Sequence, residues 1–107
     1  MPFRVQFTPD AANQLRGLRA ADRAKIAEQC LRILGVNPCL EGRTRVKRLR
    51  GDVFPSYRLR VGEYRIFYDV EEASRTVLIY GIVTKAQANE WLASFSEEAG
   101  HEGDESQ

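Results

Sequence analysis

Three arginines, Arg58, Arg60 and Arg65, are the residues of this sequence best placed to do chemistry. They stand in two segments that alternate like a β-hairpin, Tyr57-Arg58-Leu59-Arg60-Val61 and Tyr64-Arg65-Ile66-Phe67-Tyr68-Asp69-Val70, on either side of Gly62-Glu63. A two-residue connection with Gly first suits a type II′ turn, because Gly accepts positive φ there. That turn sets Val61 opposite Tyr64, Arg60 opposite Arg65, Leu59 opposite Ile66 and Arg58 opposite Phe67. Successive side chains of a strand point to opposite faces. One face then carries Tyr57, Leu59, Val61, Tyr64, Ile66, Tyr68 and Val70, and packing is the expected role of its tyrosines. The other carries Arg58, Arg60, Arg65 and Phe67, with three guanidiniums on about one nanometre of sheet. Directly opposed like charges destabilise a sheet, so Arg60 facing Arg65 calls for an anion, and a phosphate backbone is the obvious candidate. The alternative is a solvated basic face that serves solubility. Phe67 either stacks a base or lies under a helix. Arg65 points away from the apolar face, so its truncation is expected to spare core volume and stability.

The surroundings of these arginines are basic as well. Between Arg43 and Arg65 lie eight of the chain's sixteen Lys and Arg residues, against two acidic ones, Asp52 and Glu63. Arg43, Arg45, Lys47, Arg48 and Arg50 read as contacts to a nucleic-acid backbone rather than as reacting groups. The formal net charge of +1 hides an asymmetry: residues 1–96 net +6 and residues 97–107 net −5. A basic body suits a nucleic-acid partner. The one histidine, His101, and the two cysteines, Cys30 and Cys39, do not fall at metal-ligand spacing, so neither metal nor cofactor is expected. The N-terminus lacks the apolar core of a signal peptide, and no apolar run reaches the roughly 18 residues of a membrane helix. A cytoplasmic protein with reduced thiols and no membrane partner is expected.

The elements that must position the arginines can be read in chain order. Residues 3–7 alternate as a strand. Thr8 is a natural N-cap and Pro9 a first helical residue, with the helix stopping near Gly17 to Ala20. A second helix is expected from Ala21 to Leu34, capped by Asp22, with Ile26, Cys30, Ile33 and Leu34 as its buried stripe. Gly35 and Asn37-Pro38 end it. Val46 to Arg50 suits a short strand. Residues 75–84 form the most apolar run and read as an interior strand, with Gly81 marking a bulge or bend. Ala86 to Phe95 reads as an amphipathic helix anchored by Trp91. The expectation is an α+β single domain over residues 1–97, in the order β-α-α-β-β-β-α. Its sheet is twisted and mostly antiparallel, with a helical hairpin on one face. An acidic disordered tail is expected at 98–107.

In this order and spacing, the chain resembles the RelE/ParE superfamily of bacterial type II toxins over about residues 3–95. The resemblance rests on Ala11 and Leu15 of the first helix, Asn37-Pro38, Leu49-Arg50-Gly51, and above all the run from Tyr57 to Tyr68. It implies one of two activities. RelE-like members cut mRNA in the ribosomal A site, and ParE-like members poison DNA gyrase without cutting anything. Both kinds are neutralised by a cognate antitoxin. The hairpin string looks closer to the RelE-like side, which implies an endoribonuclease that directs an RNA 2′-hydroxyl onto the adjacent phosphate, with ribosome and mRNA as partners. The resemblance carries basic catalytic residues onto Arg58, Arg60, Arg65 and Lys85. In this reading Arg65 and Arg60 stabilise the phosphoryl oxygens, while Arg58 and Lys85 position the backbone. The general acid and base stay open among Tyr64, Tyr57 and a ribosomal group. Two departures stand out. Ala86 replaces the usual Arg after Lys85, and the segment Asn89 to Leu92 lacks a Tyr. They leave room for a gyrase poison, or for a member with decayed catalysis that mainly binds its antitoxin.

Overall fold

A computed structural model describes residues 2–42 and 45–105, with side-chain surroundings as far as Phe95. The elements are β1 (Arg4–Phe7), α1 (Pro9–Arg16), α2 (Ala20–Gln29), β2 (Val46–Arg48), β3 (Tyr57–Val61), β4 (Tyr64–Glu71), β5 (Thr76–Thr84) and α3 (Lys85–Glu105). The α+β class expected from the sequence is observed, with one strand more than the expected order β-α-α-β-β-β-α, because Val46–Arg48 pairs with β3 at the sheet edge. The strands form one sheet, β1-β5-β4-β3-β2, antiparallel except where β1 runs parallel to β5.

Local chemistry accounts for most boundaries. The Thr8 hydroxyl accepts the Ala11 N–H at 3.1 Å, and Pro9 opens α1. Helix α2 starts after Arg19 with no side-chain cap, so Asp22 does not cap it. The helix begins two residues before Asp22, which lies in its first turn and accepts the Tyr64 hydroxyl of β4 at 2.9 Å. The last turn of this helical run, Cys30–Leu34, is π-helical. Gly62 has φ +56°, which supplies the positive φ of the β3–β4 turn, and the pairing is the one the turn dictates, Val61 with Tyr64 through Arg58 with Phe67. Helix α3 opens with Gln87 Oε1 accepting the Thr84 N–H at 3.2 Å, half of a capping box. It runs to Glu105, past the expected end at Phe95. Residues 98–105 are therefore helical where a disordered tail was expected, and 106–107 lie outside the described residues. Ala and Glu are good helix formers and extend a helix that tertiary packing has already nucleated.

One sheet face carries the main core. Leu59, Ile66, Tyr68, Val77 and Ile79 are fully buried there against Ala11, Ile26, Cys30 and Leu34 of the helical layer. Burying each aliphatic side chain contributes about 1.5–3 kcal/mol. Tyr68 satisfies its hydroxyl by donating to Pro38 O at 2.6 Å. The opposite face is covered by α3 through aromatic contacts. Trp91 stacks on Phe67 with centroids 5.0 Å apart and on Phe95 at 4.9 Å, and Phe95 meets Tyr80 and Phe54. The anchoring role expected of Trp91 is the one observed.

A bulge in β5 makes room for that anchor. Phe67 pairs with Gly81 and Tyr68 with Ile79, so Tyr80 has no opposite number. Val77 and Ile79 face the main core, and after the bulge Ile82 faces it too, three positions on. Past the end of β1, the Ile82 N–H is taken by Gln14 Oε1 at 2.7 Å. A Cβ on Gly81 would overlap the Trp91 indole. Gly81→Val is expected to cost about 1–3 kcal/mol by overpacking and to detach α3. Trp91 is the only tryptophan, so a red-shifted emission and a lower urea midpoint are the readouts, and unchanged emission would exclude the close seat.

Burial pushes the Cys30 thiol up to about 12 from an ordinary 9.0. The folded state holds this proton more tightly than the unfolded chain. Its contribution to stability is therefore complete below pH 9 and is lost as pH rises towards 12. Cys30→Ala should show a shallower alkaline loss of urea midpoint than the parent, and parallel curves would contradict this.

Candidate functional site

The sheet face bearing the arginines is built from two neighbouring cross-strand rows. Lys47, Arg58 and Phe67 form one, because β2 and β4 both pair with β3 at Arg58. In the other row Arg60 pairs with Arg65, and its N–H donates to Arg45 O at 3.1 Å. The floor of β3 and β4 is fixed by the buried Leu59 and Ile66 between these residues. A groove of about 270 Å³ runs along the outer part of the face, lined by Glu41, Gly42, Arg45, Val46, Lys47, Arg58 and Arg60.

Arg58 is the residue under most electrostatic stress. Its Nε is buried and has no hydrogen-bond partner. Burial lowers its pKa, and the positive charges of Arg65 and Arg60 lower it further. Among the described residues the ion pairs are Arg19–Asp22 and Arg32–Glu28, and neither involves Arg58, Arg60 or Arg65. A partly desolvated cation with an unused donor and two like neighbours is a site that an anion stabilises.

Arg65 differs from expectation. It is 8% exposed, and Nη1 donates to Gly62 O and Tyr64 O, both at 3.0 Å. Its guanidinium braces the β3–β4 turn, so truncating it would open space and strand two carbonyls. Phe67 is also covered, 2% exposed under Trp91, so it meets no ligand while α3 is docked.

The outer basic residues divide. Lys47 and Arg45 line the groove, although the Arg45 guanidinium is tethered to Gln29 Oε1 of α2 at 2.9 Å. Arg48 alternates to the other face, where Nη1 donates to the Tyr57 hydroxyl at 3.0 Å. It is not part of the arginine face. Arg50 is exposed in the bend after β2, and Arg43 lies outside the described residues. Lys85 is exposed at the start of α3, beside the turn, with its N–H on Glu63 O at 2.7 Å.

The candidate proton carriers sort by face. Tyr57 and Tyr64 lie on the main-core side. Both have raised pKa values, Tyr57 through its contact with Cys39 and then burial, Tyr64 through its hydrogen bond to Asp22. Neither reaches the arginine face. Sequence reasoning missed Glu41, the carboxylate lining the groove, whose Oε1 accepts the Arg48 N–H at 2.9 Å. Nothing in the sequence announced it, since it sits outside any regular element and only the fold sets it beside Arg58 and Arg60.

Arg65→Ala is expected to lose about 1–3 kcal/mol, the range for leaving a buried hydrogen-bonding group without its partner. The stability-neutral outcome suggested by the sequence is thereby revised. Urea unfolding of the purified variant checks it, and an unchanged midpoint would show that the bracing bonds contribute nothing.

Comparison with known proteins agrees with this architecture. A family model described as the ParE toxin of the type II toxin–antitoxin system parDE matches residues 5–89. No curated protein matches. Among solved structures the chain is similar to the RelBE2 toxin–antitoxin complex of Mycobacterium tuberculosis. Identity is 26% and TM-score 0.69, covering 78% of this chain and 99% of that one. It is similar to the RelE–RelB complex of the archaeon Pyrococcus horikoshii OT3, at 26% identity, TM-score 0.64, and 78% and 96% coverage. A mutant of Escherichia coli RelE in the free state matches at TM-score 0.72 over 92% of this chain and 98% of that one, with 22% identity, which speaks to the fold alone. Because the family match spans β1, the hairpin and β5 together, the chain belongs to the ParE toxin family within the RelE/ParE superfamily, and it is a toxin of a type II toxin–antitoxin system.

Proposed function

We propose that this toxin inhibits translation by ribosome-dependent endonucleolytic cleavage of mRNA. The observation that carries the reading is the Arg58 guanidinium, half-buried, with an unpartnered Nε and crowded by Arg60 and Arg65. A phosphate backbone supplies the missing acceptor and charge. In this reading Arg58 and Arg60 hold the oxygens of the scissile phosphate while the adjacent 2′-hydroxyl attacks it. Glu41, on the rim of the same groove, accepts the hydroxyl proton. The new bond joins the 2′-oxygen to phosphorus, and the bond to the 5′-oxygen breaks. That leaving oxygen takes its proton from a ribosomal group. Arg65 acts by fixing the turn and adding positive potential. Lys47, Arg50 and Lys85 bind the backbone further along.

A cognate antitoxin is the other proposed partner. The similar structures from M. tuberculosis and P. horikoshii are toxin–antitoxin complexes. Acidic residues of such a partner would relieve the same charge that RNA relieves, so antitoxin and RNA compete for one face.

A second reading, poisoning of DNA gyrase without cleavage, is favoured by two observations. The family model is that of the ParE toxin, and the chain lacks both an Arg after Lys85 and a Tyr in Asn89 to Leu92.

The test is primer extension on mRNA from cells expressing each variant at matched soluble levels. Arg60 is exposed, so Arg60→Ala should leave the urea midpoint in place while cutting falls by about 10²–10³-fold. Arg58→Ala should lose cutting as well, with a midpoint equal to or above the parent, since it removes an unsatisfied cation. RNA affinity of the parent should fall steeply with salt. Variants that cut like the parent would remove the chemistry from this face. A parent that halts replication and never cuts would establish the gyrase reading.

A further inference from the structure

We propose that Trp91 occupies the seat of a nucleobase. In the free toxin its indole stands in for a purine of single-stranded RNA, which takes its place on Phe67 once the phosphates engage Arg58 and Arg60. This rests on the phosphate-binding reading above and specifies how the same face selects its ligand.

Three observations converge on it. Phe67 is the direct cross-strand partner of Arg58, so an aromatic platform and an unsatisfied phosphate donor sit side by side on one face. That juxtaposition is the recurring composition of single-strand sites, cations for the backbone and a ring for the base. The platform is already holding a flat bicyclic ring. Trp91 lies nearly parallel to Phe67, at 15°, and to Phe95, at 12°, as a base lies between two stacking partners. The sheet is also shaped for a flat ring at this spot. Gly81, opposite Phe67, presents no side chain where the indole lies, and any Cβ there would overlap it.

The docking of α3 is suited to exchange. Among the described residues no ion pair ties α3 to the sheet, and its side-chain contacts with the sheet centre on the aromatic ladder. A base that stacks on Phe67 restores the ring-on-ring contact that Trp91 gives up there, which offsets part of the cost of lifting Trp91 from Phe67 and Phe95. RNA without bases has nothing to offer this seat, and α3 stays docked against it. The lid therefore discriminates bases from bare polyphosphate.

The test uses the purified full-length toxin, a labelled oligoadenylate RNA, and an abasic RNA with the same number of phosphates. Binding is followed by anisotropy of the label and by the emission of Trp91, the only tryptophan. Oligoadenylate is expected to shift Trp91 emission towards that of exposed indole, and abasic RNA to bind about tenfold more weakly without a shift. Trp91→Ala should tighten oligoadenylate binding about tenfold and leave abasic RNA unchanged, because the competitor is gone. Trp91→Leu, which keeps apolar bulk without a flat ring, should behave the same way and guards against loss of fold, checked by its urea midpoint. Equal affinity for the two RNAs with unshifted emission would overturn the base seat and leave the phosphate face standing. Failure of the parent to bind either RNA at low salt would overturn both. If neither Trp91 variant changes oligoadenylate affinity, the base seat is likewise refuted.

Discussion

Strand β5 is the element on which both layers of this toxin depend, and the unpaired residue at Tyr80 governs how they meet. β5 holds β1 on one side and β4 on the other. A regular strand of this length would present Val77, Ile79, Gly81 and Val83 to one face. The bulge breaks that parity. It leaves Val77, Ile79 and Ile82 in the main core and brings Gly81 beneath Trp91. Two packed layers on opposite faces of a small sheet thus share one strand without sharing a side-chain register. The Gln14 side chain completes the arrangement by taking the Ile82 N–H that β1 is too short to reach.

The second organising feature is a cost. Arg58, Arg60 and Arg65 are held on neighbouring positions by strand pairing, which fixes the roots of their side chains close together. Part of the strain is relieved internally, since Arg65 turns its guanidinium into the carbonyls of Gly62 and Tyr64. The rest stays with Arg58, half-buried and lacking a partner on Nε. Functional sites often retain such local penalties because removing them would remove the binding energy. The folded chain accordingly keeps an unsatisfied cation that a bound anion would relieve.

The hairpin was fully legible in the residues. Alternation, Gly62 and the apolar pattern fixed its register, because a one-residue slip would have turned Leu59, Ile66 and Tyr68 to the wrong face. The first helix start was legible for the same local reason, a Thr8 hydroxyl three residues from the N–H it accepts. The cap assigned to Asp22 was not, because the helix begins earlier, at Ala20, and leaves Asp22 inside its first turn, where it meets Tyr64. The length of α3 was misread, since acidic composition resembles a solvated tail whether or not a docked helix extends into it.

For the site, the sequence by itself determined that three arginines and Phe67 share one face and that Trp91 anchors the last helix. Alternation and amphipathic spacing are local properties, and they suffice for that. Only the tertiary structure decided which of those groups are open to a partner. It buried Arg65 against its own turn, placed Phe67 under Trp91, sent Arg48 to the opposite face, and brought Glu41 to the groove beside Arg58. Exposure depends on what packs over a residue from elsewhere in the chain, and no pattern confined to a strand records that.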